Sequence, residues 1–410
     1  MKLSASRAIL SCVGCFALAI AFFSGLVTAQ EPKPSSVRYT VVDLGTLGGT
    51  YSFGYGINNV GIVSGGAATA TQTNFVSQTA FLWYGGAQPI SLGTLGGQDC
   101  PDCSSEAGGP NAAGVSAVLS EAAGKDKNNE DFCAFGTHHP CLAAIRKSGL
   151  LTALPLLQGG NNSQTYWIND LGEAVGFSET GTYDSSCSNV TPYQVLQFES
   201  VIWGASGNIR ELSPLPGDTV SFALGINNRG QAVGVSGLCS NTSVPPISPA
   251  SSAPHAVLWD RDGSPTDLGS LIQGGSSFNV PASINDRGEV VGASLASDGT
   301  NHPFVWTKES GMQDLGEPTG AFVTGIPCCH TINNEGQVVG FSVGASGPHA
   351  FLWEHGDMTD LNAVIPADSG WVLQFADSLN DRGEIVGFGV NPNGQTHGFL
   401  LRPVGFRRRE

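Results

Sequence analysis

One phrase recurs along this chain and limits what the chain can become. It reads INDRGEVVG from Ile284, INNRGQAVG from Ile226 and INNEGQVVG from Ile332, with variants INDLGEAVG from Ile168, INNVGIVSG from Ile57 and LNDRGEIVG from Leu379. A worn copy begins at Asn111. All seven copies keep an Asn and, three residues later, a Gly: Asn58 and Gly61, Asn111 and Gly114, Asn169 and Gly172, Asn227 and Gly230, Asn285 and Gly288, Asn333 and Gly336, Asn380 and Gly383. Successive Asn residues lie 53, 58, 58, 58, 48 and 47 apart. A period in this range is the mark of a repeat architecture.

The unit from Phe278 to Leu315 shows what is repeated. A short run ends at Asn285, and Asn285-Asp286-Arg287-Gly288 is a tight turn. Asn bonds its own backbone there, and Gly accepts a positive φ. Glu289 to Ser294 is a Val-rich strand, His302 to Trp306 a third and Met312 to Gly316 a fourth. Four short strands joined by turns, seven times over, predict an all-β, seven-bladed β-propeller of four-stranded blades. The last unit has no fourth strand, while Tyr39 to Gly45 has the fourth-strand pattern and no blade. Pairing the two closes the ring and removes an open edge. A second phase, with Val42-Asp43-Leu44 innermost in blade one, also counts to seven. Small residues before the Asn (Gly56, Gly225, Ser283, Thr331, Ser378) favour the shared blade, because they suit a crowded strand beside the axis.

Residues 1–29 read as a signal peptide. Lys2 and Arg7 precede an apolar run, and Val27-Thr28-Ala29 suits a cut after Ala29. The expected divisions are then a short linker over 30–37, the propeller over 38–403 and a basic tail over 404–410. The expected location is secreted, periplasmic or on the cell surface, with no membrane association after cleavage. The mature chain keeps 16 Lys and Arg against 34 Asp and Glu, a net charge near −18. That excludes nucleic acid and anionic membrane as partners. A monomer is expected.

Eight cysteines remain after the signal: Cys100, Cys103, Cys133, Cys141, Cys187, Cys239, Cys328 and Cys329. An even number in an exported chain reads as disulfides, with Cys133–Cys141 and Cys187–Cys239 as candidate pairs. The competing reading places zinc among Cys100, Cys103, Cys133, His138, His139 and Cys141. No second CxxC supports it, and no cofactor or metal is expected. The cysteines fall on the face that carries the insertions, Ser116 to Thr137, Ser178 to Phe198 and Ser236 to Pro254. The Asn turns occupy the opposite face.

The run Pro348 to Trp353 (PHAFLW), with INNEGQVVG before it and Met358-Thr359-Asp360-Leu361 after it, resembles the bacterial extracellular repeat called HAF. The likeness spans nearly all of the mature chain and is most specific in units four to seven. It implies an exported repeat protein from a family without an established reaction.

Repeated residues offer structural explanations first. His139, His255, His302, His349 and His397 share one register, with Thr79 and Glu199 in their place elsewhere. Each is a blade apart, too far for one ion held at ~2.1 Å, so a hydrogen bond made once per blade is expected. Trp83, Trp203, Trp259, Trp306 and Trp353 are expected to pack blade on blade, whereas Trp167 and Trp371 are placed nearer the central channel. Glu106, Asp131, Glu179 and Asp184 are the candidate acids on inserted loops, and their spacing defines no catalytic pair. The functional expectation is a non-enzymatic propeller that binds a glycan or an extracellular or envelope protein through its long-loop face. A glycan hydrolase or lyase and a structural surface protein are the alternatives.

Overall fold

The computed structural model describes residues 38–405, apart from 74, 190–193, 243–252, 276–277, 319–320 and 328–329. The expected signal peptide and linker, most of the expected basic tail and both Cys328 and Cys329 lie outside the described residues. Seven four-stranded antiparallel sheets form a β-propeller. Blades one to six run in simple order over 48–93, 105–153, 163–212, 220–267, 279–314 and 321–360. Blade seven takes three strands from 372–403 and its outer strand from Tyr39–Asp43. The register is Thr40 to Arg402 and Val41 to Leu401, so the N-terminal strand closes the ring as the repeat count predicts. No helix among the described residues is long and apolar enough to cross a membrane.

Each blade folds for local reasons. The turn glycines hold positive φ, from +72° at Gly383 to +86° at Gly288, a region that only Gly enters without strain. Just before the turn, the innermost strand is bulged. The register slips between Gly54 and Gly56, Thr165 and Trp167, Ala223 and Gly225, Pro281 and Ser283, and Ala376 and Ser378. In these five blades the unpaired residue stands three before the Asn. The last Gly of the repeated phrase answers this bulge: a Cβ on Gly292 would lie 2.1 Å from the Val280 carbonyl oxygen.

Packing between blades comes from the alternating apolar positions. Trp203 and Trp259 are fully buried in interblade clusters, and their indole N–H groups donate to the Pro155 and Ser213 carbonyls at 2.8 Å. Trp371 departs from expectation. It precedes the innermost strand of blade seven and packs edge-on against Phe399, away from the axis.

Candidate functional site

The Asn of each turn does more than close it. In blade five, Asn285 Oδ1 accepts the Arg287 and Glu289 N–H groups at 3.0 Å, the local turn bond expected from sequence. Its Nδ2 meanwhile donates to the Asn333 carbonyl of the next blade at 3.0 Å. The same bond runs from Asn58 to Asn111, Asn111 to Asn169, Asn169 to Asn227, Asn227 to Asn285, Asn333 to Asn380 and Asn380 back to Asn58. The outcome is a closed belt of seven buried side chains. A second belt lies beside it, from each next residue's N–H to the following blade's side chain. It passes through Ala112, Asp170, Asn228, Asp286, Asn334, Asp381 and Asn59. Ala112 has no side-chain acceptor, so this belt is open at one link.

The belts enclose an axial hollow with room of ≈ 60 Å³ for the centres of water-sized molecules. Its floor is a stack of Trp167 on His330, ring centres 4.5 Å apart and planes 9° from parallel. The two residues come from blades three and six, so they plug the channel. His330 donates through Nδ1 to the Leu379 carbonyl, 2.9 Å away, and burial holds its pKa below the ordinary imidazole range. Trp167 reaches the axis as its place on an innermost strand implied. A Cβ on Gly109 would lie 1.8 Å from its ring, so only Gly fits there.

The other face holds the candidate acids, which separate. Glu179 is on a strand, Ala174–Tyr183, that continues beyond the expected loop start. Its carboxyl shares the Asn162 Nδ2 with Glu130 and Asp126, at 3.2, 3.3 and 2.9 Å. Burial and then Glu130 push the Glu179 pKa well above the carboxylate range. The pair Asp126 and Glu130 was not singled out from sequence; the signal was an i, i+4 pair of acids inside the insertion of blade two. Asp131 accepts the Gly136 N–H, and Asp184 accepts the Ser186 N–H at 2.9 Å, so both shape loops. Glu106 is on the innermost strand Ser105–Pro110 and not on an insertion. It accepts from Gln78 Nε2, whose Oε1 takes the Tyr55 hydroxyl at 3.2 Å. Burial pushes Glu106 up to about 7.

Three disulfides staple this face: Cys100–Cys103, Cys133–Cys141 and Cys187–Cys239, the last joining blades three and four. Their sulfurs are spent, although His139 lies close enough to Cys100 and Cys103 to have shared an ion with free thiols. Four of the five strand-three histidines have a carboxylate partner on Nδ1. His302 bonds Asp314 and His349 bonds Asp360, both at 2.7 Å, and His397 bonds Asp43 at 2.9 Å. His255 reaches Asp218 instead, at 2.8 Å. His139 bonds the Gly124 carbonyl. In blade three the pair is Glu199 and Glu211, and burial and then Glu211 push Glu199 up to about 8, at the position where five other blades have an imidazole.

No family model matches the chain. No curated protein matches it either. Solved structures do, and they define the class by fold. A mutant of puromycin hydrolase complexed with PGG is 13% identical, covering 88% of this chain and 54% of its own, with a TM-score of 0.53. Puromycin hydrolase itself gives 12%, 90%, 57% and 0.50. A mutant lectin of Aleuria aurantia complexed with Fucalpha1-6GlcNAc gives 8%, 88%, 98% and 0.34. This chain therefore spans about half the length of the two hydrolase structures. At these identities the likeness shows the fold alone.

Proposed function

We propose that this is a non-enzymatic binding propeller of the exported space, recognising a glycan or an extracellular or envelope protein through its long-loop face. The observation that carries this reading is where the buried acids of that face are spent. Asp126, Glu130 and Glu179 converge on one Asn162 amide, and Glu121 accepts the Ser104 N–H at 2.7 Å. Carboxylates used in this way hold loops in shape. Together with three disulfides they make a rigid, irregular surface on a regular scaffold, the arrangement in which binding residues collect. Tyr183, 69% exposed at the end of an extended strand in blade three, offers that surface an aromatic face. HAF-like repeats fit the same reading and specify no ligand.

An enzyme reading has one specific observation in its favour. Glu106, with a pKa raised to about 7 and a Gln78 link to Tyr55, suits a general acid. A glycan array with the purified mature chain separates the two. Saturable binding without turnover, lost when Tyr183→Ser is introduced, supports the binding module. Cleavage of any polysaccharide, abolished by Glu106→Gln in a folded variant, would overturn it.

A further inference from the structure

Blade five departs from its neighbours at its histidine. His302 gives Nδ1 to Asp314 as His349 does to Asp360 and His397 to Asp43. In blade five Nε2 then meets three further oxygens, Thr300 Oγ1 at 3.0 Å, Asp298 Oδ2 at 3.1 Å and Glu317 Oε1 at 3.7 Å, whereas the Nε2 of His139 in blade two faces the single carboxylate of Asp102 at 3.2 Å. Where blade five has Glu317, the corresponding positions of blades six and seven have Ala363 and Thr46. Where it has Asp298, they have Ala345 and Asn393. The two acids are additions to a repeated pair.

The donors in this group do not suffice. With the Nδ1 proton directed to Asp314, a neutral ring turns a lone pair toward two carboxylate oxygens. The Thr300 hydroxyl lies 2.8 Å from Asp298 Oδ1, so its single proton has a partner elsewhere. Glu317 Oε1 is sealed from solvent and accepts no hydrogen bond. Something positive belongs between these atoms, either a second proton on the ring or an ion.

Geometry favours the ion. Ligand atoms of Asp298, His302 and Glu317 lie within 4.8 Å of one another. Donors held ~2.1 Å from a tetrahedral ion stand ~3.4 Å apart. The 3.1 and 3.7 Å separations from Nε2 bracket that value. Asp314 also supplies the outer carboxylate that orients a metal-bound imidazole. We propose that blade five binds one zinc-class divalent ion through His302 Nε2, Asp298 and Glu317, with Asp314 positioning the ring. The Asp298 side chain is 54% exposed, so the fourth coordination position opens toward solvent on the long-loop face.

The test is calorimetric titration of the untagged, chelator-stripped chain with Zn²⁺ at pH 7. One ion per chain is expected. Affinity should fall at least about 100-fold in His302→Gln and in Glu317→Gln. It should be unchanged in His349→Gln, which alters the same His–Asp pair without the added acids. Melting curves of the stripped variants identify any that misfold, and Asp298→Asn, at an exposed position, replaces one that does. No stoichiometric binding by the stripped wild-type chain, or equal binding by folded Glu317→Gln and wild type, would overturn the site and leave His302 as a doubly protonated ring among acids.

Discussion

The two faces of this propeller are built on opposite plans. On the turn face every blade contributes the same Asn to one belt, and a defect anywhere interrupts a circuit. On the long-loop face the blades differ: two to four carry long stapled loops, while five and six carry short ones and no disulfide among the described residues. Repetition serves closure, and departure from repetition makes local surroundings that no other blade has. Glu199 with Glu211 in blade three, and Asp298 with Glu317 in blade five, are both departures from one His–Asp theme.

That contrast can be broken most severely at the seam. Deleting Tyr39–Asp43 leaves the last blade with an open edge, and loss of soluble monomer on size-exclusion chromatography is the expected result. Next comes a single belt residue. Asn285→Ala strands the Arg287 and Glu289 N–H groups and leaves the Asn333 carbonyl with the Gly336 N–H alone, a loss of roughly 2–4 kcal/mol in chemical denaturation. Removing the Cys187–Cys239 bridge is expected to cost about 2–4 kcal/mol, an effect of the same order, and should leave the melting of the Asn belt cooperative.

Titration separates the faces again. Glu106 and Glu121 are pushed up to about 7 and Glu199 up to about 8, so the folded chain holds protons that the unfolded chain releases near pH 4.5. Stability from these groups is present below pH 4.5 and is lost as pH rises through 7 to 8. The raised His349 acts in the same direction, losing its contribution as it deprotonates. Melting temperature should therefore fall between pH 5 and pH 8, and Glu199→Gln should flatten the upper part of that slope. The smallest effect repairs the second belt: Ala112→Asp offers the missing acceptor to the Asn59 N–H. A gain of about 0.5–1 kcal/mol is expected, read as a small rise in melting temperature.

Much of the scaffold was legible because it is local and repeated. The turn chemistry of Asn285 to Gly288 and the orphan strand at Tyr39 are visible in the residues themselves, and together they imply blades and closure. The belt was harder to see, since its acceptor is a backbone carbonyl one repeat away. A clue existed: Asp or Ser would satisfy the turn, yet all seven positions are Asn, the one of these side chains with both an acceptor and an amide donor. Trp371 was misplaced because adjacency to an innermost strand says nothing about which side of it a ring takes. The acids of the long-loop face were visible as residues and not as groups. Asp298 and Glu317 stand either side of a two-stranded hairpin, and only folding brings both to His302.

The central claim is that one closed circuit holds all seven blades as a single unit, and blade-resolved native-state hydrogen exchange tests it most directly. The N–H groups bonded to each belt Asn, at Ile62, Val115, Glu173, Gln231, Glu289, Gln337 and Glu384, should share one protection level with the strand pair Tyr39–Asp43 and Thr396–Pro403. Protection that steps down from blade to blade, or a seam that opens well before the rest, would contradict it.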